Sequence, residues 1–153
     1  MKWSELNNQQ VGTYAEYYFK MEFTKYGLSV FSAEVDDRGV DLVIRSESGG
    51  VINHYDVQIK SIRHNTSYIF IPESKFRLSA QLLVGVAIFP NDKDLPELFL
   101  IPATAWNELN ALLNYKDYES RGLKSKNEYG INLSKKNRPL MEPYRFENII
   151  ESL

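Results

Sequence analysis

Two segments of alternating polarity dominate the hydrophobic pattern of the chain. Residues 41–46 and 51–61 place apolar side chains between polar ones, which is typical of strands with one buried face. The four residues 47–50 end in two glycines and predict the turn between them, because glycine accepts the positive φ of hairpin turns. Pairing of Ser46 with Val51 would set Asp41 opposite Asp56, and a slip of one residue would move Asp41 to the other face. In that register Val57 and Ile59 point into the core, and one polar face is shared by Asp41, Asp56, Gln58 and Lys60.

The remaining pattern predicts an α/β protein. Apolar residues at three- and four-residue steps predict a helix over 7–26, ended by Gly27. Short apolar runs predict strands at 28–31, 68–71, 82–89 and 98–101. We expect further helices over 74–80 and 105–113, and less regular structure beyond Asn114.

Length and composition predict one compact domain over residues 1–153, with a core at about 7–113 and a C-terminal extension at 114–153. The absence of cysteine excludes disulfides and thiolate zinc sites, and favours a reducing cytoplasm. With only His54 and His64 present, no polyhistidine metal site is expected. The sequence contains no signal-peptide pattern and no apolar run long enough to span a membrane, so we expect no membrane association.

Charge is unevenly distributed along the chain. Residues 1–59 carry five Lys/Arg and nine Asp/Glu, whereas residues 116–145 carry eight Lys/Arg and four Asp/Glu. An acidic metal pocket beside a basic wall suits an enzyme that acts on phosphates. The alternative is a basic C-terminal region that is merely solvated.

The hairpin residues carry a resemblance to a known family. The segments Gly39-Val40-Asp41 and Gln58-Ile59-Lys60 resemble the PD-(D/E)XK nuclease superfamily. Its motif is an acidic residue at a strand start, then an acidic residue, any residue and lysine on the next strand. Many members also carry a glutamate on the first helix, where this chain has Glu16. No proline precedes Asp41. Gln58 replaces the usual second acid, as in some restriction, resolvase-like and homing members.

The resemblance, which covers about residues 7–105, implies a restriction-endonuclease-like core with a mixed central sheet flanked by helices. It also implies a Mg²⁺-dependent endonuclease that cuts DNA, with Mn²⁺ as a substitute ion. Asp41, Gln58 Oε1 and the backbone carbonyl of Ile59 would bind the ion, since carboxylate and carbonyl oxygens suit hard cations. Glu16 would complete the metal site by holding a metal-bound water or a second ion. Lys60 would orient the attacking water and stabilise negative charge. Arg63, Lys75 and Arg77 would contact phosphates.

Alternatives remain open for each of these residues. Asp41 could cap a loop by accepting hydrogen bonds from nearby backbone amides, and the Gln58–Lys60 strand could be an exposed edge. Glu16 could be an ordinary solvated helix residue. The neutral Gln58 keeps a non-catalytic binding or regulatory protein of the same fold possible. A homodimer or higher homo-oligomer is expected, because one site per chain cannot cut both strands of a duplex. The apolar segment 139–153 would supply contact surface, unless it folds back on the core of its own chain.

Overall fold

The computed structural model describes residues 2–34 and 38–153. It contains two α-helices, eight β-strands and four short 3₁₀ segments, at 3–5, 73–75, 103–107 and 138–144. The helices and strands are, in chain order, α1 (Asn8–Lys25), β1 (Ser29–Ser32), β2 (Leu42–Ser48), β3 (Val51–Arg63), β4 (Tyr68–Pro72), β5 (Leu82–Phe89), β6 (Glu97–Pro102), β7 (Leu113–Lys116), β8 (Glu128–Asn132) and α2 (Phe146–Ile150).

Helix α1 begins at a capping box, in which the side chain of Asn7 accepts from the Gln10 amide and Gln10 accepts in return from the Asn7 amide. The helix ends before Gly27, whose φ of 83° is one that glycine adopts without strain. Its buried face consists of Val11, Ala15, Phe19 and Phe23. The predicted first helix is therefore confirmed to within one residue at each end.

The strands form two sheets. The larger has the order β1-β2-β3-β5-β6, in which only the β3–β5 pair is parallel. All eight residues of β5 are buried, as expected for a central strand covered on both faces. The smaller sheet is antiparallel and has the order β4-β8-β7.

Apolar side chains pack on both faces of the larger sheet. On one face, α1 and α2 cover Leu42, Ile44 and Val57. On the other, the smaller sheet and Trp106 pack against alternate residues of β5. Gly85, in the middle of β5, makes room for Phe19 of α1. A Cβ at position 85 would lie 2.9 Å from the tip of the Phe19 ring, which is too close for any real contact.

The hairpin register differs from the predicted one by two residues. Ser46 pairs with Asn53, and Ser48 pairs with Val51. The turn is therefore the two glycines alone, with φ of 58° at Gly49 and 80° at Gly50, as in the tight turns that match strand twist. A shift by two leaves every side chain on its predicted face. The polar segment 36–39 between the first two strands is also expected to be a loop, and it lies partly outside the described residues.

The two further predicted helices are wrong. At 74–80 the chain forms one 3₁₀ turn and then runs irregularly, with Phe76 buried 5.1 Å from the Trp106 ring and 4.4 Å from that of Tyr129. At 105–113 a 3₁₀ segment is followed by β7. The side chain of Asn110 accepts from the amides of Leu112 and Leu113, each at 2.8 Å. These bonds satisfy backbone donors outside a helix and turn the chain into a strand.

The C-terminal region is more regular than expected and folds back on its own chain. Strand β8 pairs with β4 and β7. Met141, Phe146 and Ile150 are buried, and the Phe146 ring lies 5.2 Å from that of Phe23. The predicted role of 139–153 as an intermolecular surface is therefore wrong for these side chains, since they are buried within the monomer. Across residues 2–34 and 38–153, no helix is both long and apolar enough to span a membrane.

Candidate active site

Asp41 lies where β2 begins, immediately before Leu42, which pairs with Val57 of β3. Its amide donates to the Val57 carbonyl at 2.9 Å. Its side chain makes the next hydrogen bond, two residues further along β3, where Asp41 Oδ2 accepts from the Ile59 amide at 2.7 Å. The predicted backbone capping by Asp41 is thus observed. It also fixes the carboxylate beside the strand that carries the second half of the motif.

The carbonyl of Ile59 lies on the same side of β3 as its amide. A residue in an extended strand directs its N–H and C=O to one flank, which is why opposed residues of antiparallel strands exchange both bonds. Since the Ile59 amide points at the Asp41 carboxylate, its carbonyl oxygen is directed to the same flank. One carboxylate and one backbone oxygen therefore occur together at the start of β2.

Gln58 is the most unusual polar residue of this region. It is 2% exposed, and its Nε2 donates to the Lys75 carbonyl. Its Oε1 is buried and has no hydrogen-bond partner within the described part of the chain, residues 2–34 and 38–153. A buried acceptor without a donor costs about 1–3 kcal/mol, so a native structure that retains one calls for an explanation such as an ion or water. The bond to Lys75 fixes the amide, so that the oxygen has one orientation.

Gly39 closes over the Gln58 side chain. It has a φ of 75°, and a Cβ there would lie 2.8 Å from Gln58 Nε2 and 3.2 Å from Lys75 Cβ. Glycine is therefore required both by backbone conformation and by the close approach. Gly39 therefore leaves the space that the Gln58 side chain occupies. This role of Gly39 was not predicted from the sequence. The adjacent Gly39-Val40-Asp41 spacing was the available signal.

Two clefts meet at Lys75. The first, of about 300 Å³, is lined by Gln58 and the cations Arg38, Lys75 and Arg77. The second, of about 370 Å³, is lined by residues 60–62 of β3, 68–70 and 72 at β4, and Lys75. Lys60 alternates with Ile59 along β3 and so shares the face of Gln58. Lys60 and Lys75 bring positive charge to the side of the sheet on which the orphaned oxygen lies.

Glu16 approaches from the helix layer. Arg63 at the end of β3 donates to Asn8 Oδ1 at 3.1 Å, and Gly12 lies over Ser61, so α1 runs antiparallel to β3. Four helical residues rise about 6 Å, and two strand residues rise about 6.6 Å. Glu16, four residues after Gly12, is therefore level with Ile59, the residue bound to Asp41.

The three predicted phosphate contacts are in different situations. Lys75 is exposed beside Gln58. Arg77 donates to Asp56 at 3.0 Å in an ion pair that is largely solvated, which makes the pair weak and exchangeable. Arg63 holds the start of α1 through the Leu6 carbonyl and Asn8. Asp56 is therefore at the periphery of the site, paired with Arg77.

The residues at this position suit a hard divalent cation. Such ions take carboxylate and carbonyl oxygens, and Asp41 and the orphaned Gln58 Oε1 supply one of each. Among residues 2–34 and 38–153, no group of three His, Cys, Asp or Glu side chains forms a metal-binding cluster. Only a glutamine-containing set is available there, and its lower charge implies weaker metal binding than a set of three acids would give.

Comparison with known proteins identifies the fold of the chain. No protein-family model and no curated protein sequence matches the chain. Among solved structures, the chain is similar to Hjc, a Holliday junction resolvase of the archaeal hyperthermophile Archaeoglobus fulgidus. The TM-score is 0.55 and the identity 14%, over 92% of this chain and 95% of Hjc. It is also similar to the bacterial homing endonuclease I-Ssp6803I, with a TM-score of 0.54 and 16% identity, over 95% of this chain and 94% of that protein.

The chain has a restriction-endonuclease-like fold. The fold class predicted from the sequence is therefore confirmed. In this restriction-endonuclease-like fold, Asp41 and Gln58 lie at the start of β2 in the mixed sheet, where the β2–β3 pairing begins at Leu42 and Val57.

Proposed function

We propose that this protein is a metal-dependent endonuclease that hydrolyses phosphodiester bonds in DNA. The observation that carries the proposal is the Oε1 of Gln58, which is buried and has no hydrogen-bond partner among residues 2–34 and 38–153. Gln58 lies on the same strand as Lys60, next to the strand that Asp41 precedes. The restriction-endonuclease-like fold, shared with a resolvase and a homing endonuclease, supports DNA as the substrate class.

The residues of the site have distinct roles in this proposal. Asp41 and Gln58 hold Mg²⁺, or Mn²⁺ in its place, and Glu16 adds a carboxylate from the helix layer. When bound, the ion polarises the phosphate and lowers the pKa of water. Lys60 positions the attacking water and neutralises charge that develops on the phosphate. Lys75 and Arg77 hold flanking phosphates, with Arg77 exchanging its contact with Asp56 for one with DNA.

The test is a nicking assay on supercoiled plasmid with Mg²⁺. We expect cleavage by the wild type, and none by Asp41→Ala or Lys60→Ala at the same protein concentration. Circular dichroism and thermal melting establish that each variant is folded. Arg121→Ala, at an exposed position away from both clefts, is the matched control for the loss of one charge and should cleave normally. Full activity in a folded Asp41 or Lys60 variant would exclude the assigned site.

A second candidate is a non-catalytic DNA-binding protein with the same fold. The observation that favours it is the hydrogen bond from Gln58 Nε2 to the Lys75 carbonyl, which gives the amide a structural role. DNA binding without cleavage under any divalent ion, and with no metal bound at Asp41, would select this candidate.

A further inference from the structure

The outer face of the smaller sheet carries two aromatic side chains in succession. Along β4, Ile69 and Ile71 are buried in the core, and Tyr68 and Phe70 lie on the opposite face. Phe70 pairs with Gly130 of β8. Because position 130 has no side chain, the Tyr68 ring lies across it. A Cβ there would be 2.2 Å from the Tyr68 hydroxyl oxygen.

Tyr68 is fixed in this position by polar contacts. Its hydroxyl donates to Glu128 Oε2 at 2.7 Å, and the ammonium of Lys116 lies 4.2 Å from the ring centroid. Burial and the hydrogen bond to the Glu128 carboxylate raise the pKa of Tyr68 above its ordinary value, in keeping with a hydroxyl that donates to this carboxylate. The packing of Tyr68 is thus explained within the protein.

The packing of Phe70 is not explained in this way. Its side chain is 55% exposed. Within residues 2–34 and 38–153, it has no ring contact with another aromatic side chain. A solvated phenyl ring on a strand face leaves apolar area in water that burial would remove.

The cleft of about 370 Å³ joins Phe70 to the proposed active site. Its β4 wall consists of Tyr68, Phe70 and Pro72, and its β3 wall contains Lys60. Lys75 lies at the boundary with the first cleft. The volume lies within the range of ligand pockets, and the charged side chains that line it, Lys60 and Lys75, are both cationic.

We propose that this cleft binds a nucleobase that is not stacked in a duplex, with its plane against the Phe70 ring and its phosphates against Lys60 and Lys75. Aromatic side chains in a positively charged groove are the arrangement that binds single strands. A base inside a duplex has both faces covered by its neighbours and cannot reach Phe70. The inference rests on the proposed function and assigns its substrate class: DNA with a single-stranded segment beside the cut, as at a flap, gap or branch point.

The test measures binding separately from cleavage. Fluorescence anisotropy in EDTA compares a 20-nucleotide single strand with a duplex of the same sequence, for the wild type and four variants. We expect the wild type to prefer the single strand. Phe70→Ala and Phe70→Leu should lower single-strand affinity by roughly 5- to 150-fold and leave duplex affinity unchanged. Phe70→Trp, which keeps an aromatic face, should retain affinity. Tyr17→Ala, at an aromatic residue of α1 that is 59% exposed and outside this cleft, is the matched control.

Equal single-strand affinity in the wild type and Phe70→Leu would overturn the inference, as would a wild-type preference for the duplex. Equal losses on both DNA forms would also overturn it, because they would indicate a general structural effect. Tighter binding of an RNA strand of the same sequence would overturn the assignment to DNA. The plasmid assay separates the two proposals. Nicking without dependence of binding on Phe70 removes only this inference, whereas Phe70-dependent binding without nicking removes only the nuclease.

Discussion

Gln58→Glu replaces a buried amide by a carboxyl group at the proposed ion site. The wild-type amide donates to the Lys75 carbonyl and is 2% exposed. An ionised glutamate would instead place a carboxylate oxygen against the carbonyl oxygen of Lys75, and two acceptors cannot form a hydrogen bond. Loss of the bond and an unsatisfied buried group cost about 1–3 kcal/mol. For a chain of this size, each kcal/mol lowers Tm by roughly 2–4 °C, so metal-free Gln58→Glu should melt about 2–12 °C below the wild type.

The expected pH dependence follows from the burial of this group. Desolvation raises the pKa of the new carboxyl group in the folded protein above its value in the unfolded chain. A raised folded-state pKa means that stability is fully present below the unfolded pKa and is lost as pH rises through the folded pKa. The variant should therefore melt close to the wild type at pH 4, where the protonated carboxyl group can donate to the Lys75 carbonyl. It should melt well below the wild type at pH 8.

Magnesium should reverse the loss. An ion at a hundred times its dissociation constant stabilises the folded state by about 2.7 kcal/mol, which offsets most of the cost. Calorimetry at pH 8 with EDTA or Mg²⁺ measures this directly. Gln9→Glu, at an exposed position of α1, controls for the added charge, and its Tm should rise with Mg²⁺ only as much as that of the wild type. If Mg²⁺ raised the Tm of Gln58→Glu no more than that of Gln9→Glu, the assignment of an ion to position 58 would be refuted.

Three further predictions concern the surroundings of the site. Gly39→Ala should lose at least tenfold in cleavage rate, because its methyl group displaces the Gln58 amide. Gly49→Ala is the matched control: position 49 also has a positive φ, but the new methyl group has open space around it. This variant should lose stability without losing activity. Arg63→Met should lower the free energy of unfolding by about 1–3 kcal/mol, measured by urea denaturation, because Arg63 binds the start of α1. Weaker DNA binding at unchanged stability would instead support the predicted contact of Arg63 with a phosphate. Sedimentation equilibrium with DNA should show a two-fold assembly, the commonest closed homo-oligomer, and a strict monomer at tens of micromolar would leave only single-strand nicking.

The hairpin shows why the shared face of Asp41 and Gln58 could be predicted from the sequence while the register of the two strands could not. Two glycines indicate a turn, but the prediction assigned four residues to it and the structure uses two. The predicted pairing is therefore displaced by two positions. Side chains alternate with a period of two, so the displacement preserved the shared face of Asp41 and Gln58. A displacement by one would have separated them.

The smaller sheet was predicted only through β4, because its other two strands depend on distant partners. Strands β7 and β8 are short and lie in Tyr-, Lys- and Asn-rich sequence, and β8 is stabilised by pairing with β4 some 60 residues earlier. No local period marks such strands. The bond from Gln58 to the Lys75 carbonyl was equally hidden, since it involves a main-chain atom of a segment predicted to be helical.

The contact of Phe19 with Gly85 also limits how this protein can diverge. The ring occupies the space of an absent side chain, and Phe19 lies one turn beyond Glu16 on the same helix. Any side chain added at position 85 would lift α1 from the sheet, and with it a carboxylate of the proposed site, unless position 19 became smaller at the same step. The two positions should therefore covary among homologues, with a bulky partner at one only when the other is minimal. A single exchange at Gly85 would act as a distant inactivating lesion that a second exchange at Phe19 suppresses.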